Sequence, residues 1–234
     1  MAIQVRIIPA PQLSLRDPQD TELGRRILTH SIILLDELGL EAFTFKKLAV
    51  ELGSAEASIY RYFNSKHQLL LYLVSWYWDW VHYLVKQSAV GKSSPEDRLQ
   101  AAITSLTQPF VANPAVPYID ERLLHRIVIN EGSKAYHTKD VDQENRKGLF
   151  LGYKSLCEEI CAIILEIAPT FPYPRALATS LFEMAHNHPY FAEHLPRLTD
   201  IGRTSELSEE LRTMLWFWVT NLLNTHSQPA PQID

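Results

Sequence analysis

The stretch from Thr44 to Leu70, TFKKLAVELGSAEASIYRYFNSKHQLL, constrains this chain more than any other, because it lays two short helices, a tight turn and the start of a third helix in one unbroken register. Thr44 stands where an N-cap is needed, ahead of a helix whose apolar face is Phe45, Leu48, Ala49 and Leu52. Gly53 follows with the backbone freedom a sharp turn requires, and Ser54 is placed to open the next helix. That second helix, spanning about Ala55 to Phe63, is too short to bury much. Ile59 and Phe63 turn inward, leaving Ser58, Arg61 and Tyr62 outward. Two helices meeting steeply through a short turn read as a helix-turn-helix.

An exposed second helix of this kind can lie in the major groove of duplex DNA, its first residues facing base edges while polar neighbours grip phosphates. From Ile27 onward, ILTHSIILLDELGLEAFTFKKLAVELGSAEASIYRYFNSKHQLL resembles, without a gap, the N-terminal domain of TetR-type transcriptional regulators. The resemblance is carried by Gly39, Thr44, Leu48 with Ala49, Gly53, Ile59 with Tyr60, Tyr62 with Phe63, and Ser65 with Lys66 followed by Leu69. It covers about a fifth of the chain; beyond Leu70 only the all-helical character is shared.

The resemblance implies phosphate contacts at Thr44, Tyr60, Tyr62 and Lys66, and base reading by Ala55, Glu56, Ala57 and Ser58. Lys46, Ser54 and Arg61 complete the candidate DNA surface. Two departures stand out. The family commonly has an apolar residue and then Ser or Thr after the turn glycine, where this chain has Ser54 and Ala55, so the cap can be shifted by one residue. Glu56 occupies a place that is often basic or small. It can compensate the helix dipole, or accept a hydrogen bond from a cytosine amino group.

The 234 residues suffice for one large domain or for a small domain fused to a medium one, and a hydrophobic content of 46% supports a real core. Only 8 glycines, no Asn-Gly or Asp-Gly pair and long 3.6-period runs predict an all-α protein with an N-terminal three-helix helix-turn-helix domain and a larger helical domain after it. The net charge of -5 is unlike that of a strongly basic nucleic-acid binder. Between Thr21 and His67 the cations Arg25, Arg26, Lys46, Lys47, Arg61 and Lys66 are cancelled by Glu22, Asp36, Glu37, Glu41, Glu51 and Glu56. A shallow salt dependence is expected, with dimerisation supplying affinity that phosphate neutralisation does not.

Along the chain, residues 1–20 with Pro9, Pro11 and Pro18 read as an irregular arm, first as a disordered tail and otherwise as a segment that lies on the protein or reaches toward DNA. Residues 21–68 read as the helix-turn-helix domain, 69–226 as a helical ligand-binding and dimerisation domain, and 227–234 as a tail. The first helix is expected from about Glu22 to Leu38, with Leu23, Ile27, Leu34 and Leu38 on one face and Gly39 ending it. A long helix over about Lys66 to Gln87, N-capped by Ser65, carries the aromatic run SWYWDWVHYL. Further helices are expected over about Glu96 to Val111, Tyr118 to Asn130, Arg146 to Ile167, Arg175 to Asn187 and Glu206 to Asn224. GSKAYHTKDVDQEN reads as a polar connection.

Trp76, Trp80, Tyr83, Phe110, Tyr118, Phe150 and Tyr153 are candidates to line a cavity for an apolar or aromatic small molecule, their alternative being core packing. On the last helix Leu211, Met214, Leu215, Trp218 and Leu222 form a wide stripe. By the resemblance it pairs with its copy in a homodimer; burial within one chain is the other possibility.

Chemistry has little footing. His186 and His188, two apart, do not share a helix face, and Pro189 is expected to break the helix before His194 can join them around a metal. Cys157 and Cys161 read as small apolar residues of one buried face, with a redox switch or half of a metal site as the alternative. No phosphate-cradling loop, nucleophile elbow, HExxH or CxxC motif is present, so neither catalysis, a cofactor nor a metal is expected. MAIQVRIIPAPQL has too short an apolar run for a secretory signal, and no segment approaches a membrane span. The expectation is therefore a cytoplasmic, homodimeric regulator that binds a palindromic double-stranded operator and is released by a small effector, as a repressor by family default. The rival is a helical dimeric binding module whose DNA-reading helix has decayed.

Overall fold

Helix α1 (Glu22–Ala42) opens on Thr21, whose side chain accepts the Gly24 amide, and it bends at Gly39, where φ is 69°. In a computed structural model residues 5–108, 116–202 and 206–227 are described, and they contain only helices, turns and extended links. Contacts divide the chain into two compact units, Met1–Trp80 with Phe110–Tyr153, and Val81–Pro109 with Lys154–Asp234.

In the first unit α1 is followed by α2 (Phe45–Leu52), α3 (Glu56–Ile59) and most of α4 (Lys66–Ala89). Ser65 caps α4 through the Gln68 amide, while the Gln68 side chain accepts the Asn64 amide in return. The buried side of α1 is Ile27, Leu28, Ser31, Ile32 and Leu35. The expected face shared only Ile27 with this set; Leu38 is exposed, because α1 turns its inner side toward α6 as well as α2. Helix α5 (Pro95–Thr107), in the second unit, is capped by Ser94 with Pro95 at its first position, where a missing N–H costs nothing.

Helix α6 (Glu121–Glu131) returns to the first unit and packs on α1. Two short helices, α7 (Ser133–Tyr136) and α8 (Val141–Arg146), occupy the segment expected to be a plain polar connection. Ala135 is fully buried and Glu144 bonds His67, contacts no local pattern announces. The arm is also tied down. Short 3-10 turns at Pro11–Leu13 and Pro18–Asp20 seat Leu13 in the core, and Gln19 bonds the Ile7 carbonyl and the hydroxyls of Tyr72 and Tyr118.

The second unit holds α9 (Leu151–Ile167) from Lys154 onward, α10 (Pro174–His194) and α11 (Leu207–Ser227), with α5 packed on both α10 and α11. Helix α10 runs through Pro189 to His194, which overturns the expected break. A proline deletes one amide bond, and a helix packed along its length tolerates that loss. No helix among the described residues is long and apolar enough to cross a membrane.

Candidate nucleic-acid interface

The α2–α3 pair is built as its residues demand. Thr44 Oγ1 accepts the Lys47 amide, and Phe45, Leu48, Ala49 and Leu52 are all buried. Gly53 takes the left-handed conformation (φ 60°, ψ 36°) that ends α2, and the Ser54 amide donates back to the Ala49 carbonyl. Arg26 from α1 then donates to the Leu52 carbonyl at 2.8 Å, occupying an acceptor at the open end of α2.

Helix α3 proper is a single turn. Its N-cap is Ala55 with no side-chain bond, so Ser54 is not the cap. Glu56 sits in the first turn, where its charge favours the helix dipole. Ile59 and Phe63 are fully buried, as their spacing requires. Around them Thr44, Lys46, Ala55, Ala57, Tyr60 and Arg61 are exposed, and Ser54, Glu56 and Ser58 are half-buried. The Tyr60 ring rests edge-on against Phe45 at 5.1 Å, which fixes its direction while leaving it open to solvent.

Tyr62 and Lys66 stand differently. Tyr62, expected outward, is only 2% exposed; its hydroxyl pairs with Thr21 Oγ1 at 2.7 Å and its carbonyl accepts the Leu15 amide. The chain leaves α3 in turns, and those turns rotate Tyr62 inward beneath the arm. Lys66 Nζ donates to the carbonyls of Leu40, Glu41 and Phe43 at 2.8, 3.1 and 3.4 Å. It braces the α1–α2 bend. Lys47, beside the surface and absent from the expected set, bonds the Ala42 carbonyl.

The aromatic candidates separate into groups. Trp76 and Trp80 stack at 5.7 Å, both buried, and Trp80 Nε1 donates to Glu121 Oε2 at 2.9 Å. Burial pushes the Glu121 carboxyl up to about 7, against the pull of that bond and with help from Asp120. Phe150 and Tyr153 gather on Tyr136, whose hydroxyl accepts the Trp78 indole N–H. Tyr118 lies instead on the arm through Gln19. Tyr83 belongs to the second unit, and Phe110 falls outside the described residues. Tyr77, paired with His125 Nδ1 at 2.9 Å, and Glu121 are the polar members that aromatic counting missed. Burial raises Asp79 to about 6, opposed by a bond from Ser75, and the Asp79 carboxylate fills the space beside Gly152, where a Cβ would lie 2.2 Å from Oδ1.

On α11 the stripe splits into two rows. Leu211 and Leu215, expected at a dimer face, are buried within the second unit together with Val219 and Leu223, because a spacing of four keeps them on one side of the helix. Met214 is half-buried, and Phe217, Trp218 and Leu222 are 62%, 36% and 47% exposed. Met214, Phe217 and Trp218 line an open groove of about 600 Å³ with Ile201, and the carboxylates Asp200, Glu209 and Glu210 stand at the same groove. The histidines near α10 go separate ways. His186 is buried on the Phe182 carbonyl, His188 meets Thr199, and His194 lies against Tyr190. Among the described residues no group of ligating side chains could hold a metal.

Residues 27–73 match the model of bacterial regulatory proteins, tetR family, a family of transcriptional regulators rather than enzymes. No curated protein matches the sequence. Solved structures share the fold. A tetR-family regulatory protein from Rhodococcus RHA1 aligns at TM-score 0.59 with 15% identity, covering 89% of this chain and 99% of its own. AibR in complex with isovaleryl coenzyme A and operator DNA aligns at 0.58 with 14% identity, over 83% and 97%. The ketosteroid regulator KstR2 of Mycobacterium tuberculosis aligns at 0.55 with 14% identity, over 92% and 100%.

Proposed function

We propose that this chain, whose residues 27–73 match the tetR family of bacterial regulatory proteins, is a ligand-released repressor of that family acting as a homodimer on a palindromic operator. One observation carries the reading: α2 and α3 bury their whole apolar side and leave Thr44, Lys46, Ala55, Ala57, Tyr60 and Arg61 on one exposed stretch around the Gly53 turn. Ala55 and Ala57 are small enough to let α3 approach base edges closely, and the thymine methyl is an apolar partner for them. Thr44, Lys46, Tyr60 and Arg61 are the phosphate-directed set. Tyr62 and Lys66 serve by holding the turn and the bend.

Two reading heads are needed, because one single-turn helix offers few contacts. Entry into successive major grooves requires heads roughly 34–36 Å apart. The outer row of α11, half-buried Met214 with exposed Phe217, Trp218 and Leu222, is the apolar surface for pairing two chains. The effector site is placed at the buried cluster of Trp76, Tyr77 and Trp80, where Glu121 and His125 bond Trp80 and Tyr77, and a mainly apolar effector enters it by parting these packed rings. The effector and operator named for AibR support a regulator of this ligand-responsive kind. An effector acts by preferring the conformation in which the heads no longer match the grooves.

The test is selection of duplexes from a random pool by the purified chain at low salt, followed by sequencing. A palindrome with half-sites about one turn apart is the expected result. Recovery of no motif from a folded dimer would end the reading.

A further inference from the structure

The bend that joins α1 to α2 is held by two charged side chains from other helices. At Gly39, with φ 69° and ψ 165°, the backbone enters a region that residues with a Cβ rarely occupy. Breaking a helix there leaves amides and carbonyls without intrahelical partners. The Leu40 amide donates to Glu131 Oε1 of α6 at 3.1 Å, and Lys66 Nζ takes the carbonyls of Leu40, Glu41 and Phe43. Glu131 is 8% exposed, and its second oxygen lies 2.7 Å from Lys134 Nζ. The fit is close: a Cβ on Gly39 would stand 3.0 Å from Glu131 Oε1.

A line of rings leads from this bend to the reading surface. Phe43, fully buried, meets Phe45 edge-on at 6.3 Å, and Phe45 meets Tyr60 at 5.1 Å. Upstream on the same helix as Glu131, Glu121 accepts the Trp80 indole N–H, His125 pairs with Tyr77, and Arg126 holds Asp36 of α1 through two bonds. Helix α6 thus touches the aromatic cluster at one end and the α1–α2 bend at the other.

We infer that Glu131 is a positioning residue for DNA reading: by holding the Leu40 amide it sets the angle at which α2 and α3 leave α1, and it carries displacements of α6 to Tyr60. It touches no nucleotide. The inference rests on the DNA-binding reading above and adds to it the residue through which the aromatic cluster acts on the head.

Glu131→Gln keeps an acceptor for Leu40 but gives up the negative charge that faces Lys134. Glu131→Asp keeps the charge but withdraws the oxygen by one carbon, and Glu131→Ala removes both. Affinity is measured by fluorescence anisotropy on the duplex that the wild-type chain selects, and hydrogen exchange at the Leu40 amide is followed in the free full-length chains. The expected order is Gln within about twofold of wild type, Asp several-fold weaker and Ala about tenfold weaker, with fast Leu40 exchange in Asp and Ala only. A purely electrostatic role, through Lys134, would place Asp above Gln, and that order would overturn the inference. So would wild-type affinity in the Ala variant. If Ala does not fold, the Gln and Asp pair decides. If the wild-type chain selects no duplex, the DNA-binding reading has failed and positioning falls with it, and Leu40 exchange then separates a clamp without that role from no clamp at all.

Discussion

Helices α2 and α11 are both anchored by a row of apolar side chains repeating at helical spacing, and they differ on the opposite side. Behind Phe45, Leu48, Ala49 and Leu52, helix α2 presents Lys46, Lys47, Val50 and Glu51 to solvent. Behind Leu211, Leu215, Val219 and Leu223, helix α11 presents Phe217, Trp218 and Leu222. An amphipathic helix is finished once its chain has folded. A helix apolar on two sides is finished only when something else covers the second, which is why we propose α2 for reading DNA and α11 for pairing.

The largest expected effect tests whether the inner rows are equivalent. Leu48→Ala and Leu215→Ala each empty a fully buried site and should cost about 2–5 kcal/mol in chemical denaturation. A loss far smaller for Leu215 would mean that the α11 row is not core. Next in size is the buried carboxyl on α6, a polar group held where both rows have only apolar ones. Because folding raises Glu121 from 4.5 to about 7, the folded state binds the proton more tightly, so the stability this group contributes is fully present below pH 4.5 and is lost as pH rises through 7. Glu121→Gln should remove that slope and gain up to about 3 kcal/mol at pH 8, with no gain at pH 4. Denaturation at the two pH values decides it.

Gly53→Ala should cost about 1 kcal/mol by thermal unfolding. Nothing lies within 4 Å of the added Cβ, so only the left-handed backbone is penalised. The smallest effect on the fold of one chain belongs to the outer row of α11. Phe217→Ser should change it by less than about 0.5 kcal/mol and yet yield single chains in sedimentation equilibrium. A Phe217→Ser protein that still sediments as a dimer would remove α11 from the pairing surface and blur the contrast with α2.

Much of the head was legible because its signals are local. Thr44 and Ser65 as caps, Gly53 as the left-handed turn, and the four buried residues of α2 are settled by neighbours three or four places away. The second helix is shorter than its local pattern suggests and Tyr62 points inward, because the deciding partners, Leu15 and Thr21, lie in the arm and at the start of α1. Pro189 misled for a related reason. Local chemistry disfavours proline in a helix, and only the packing along α10 shows that the lost bond is absorbed. On α11 periodicity announced a wide stripe but could not say which half faces the chain's own core, since both halves are apolar.

The residues alone determined an all-helical chain, its helix-turn-helix and most of its helix starts, because caps, turns and periodicity act through bonds between residues a few positions apart. Tertiary structure decided what each charged side chain is for. Glu131 reaches the Leu40 amide across 91 positions and Lys66 reaches the Leu40 carbonyl across 26. A carboxylate or an ammonium has no preferred partner in sequence; it takes the backbone groups that the folded chain leaves open beside it, and the break at Gly39 leaves them there.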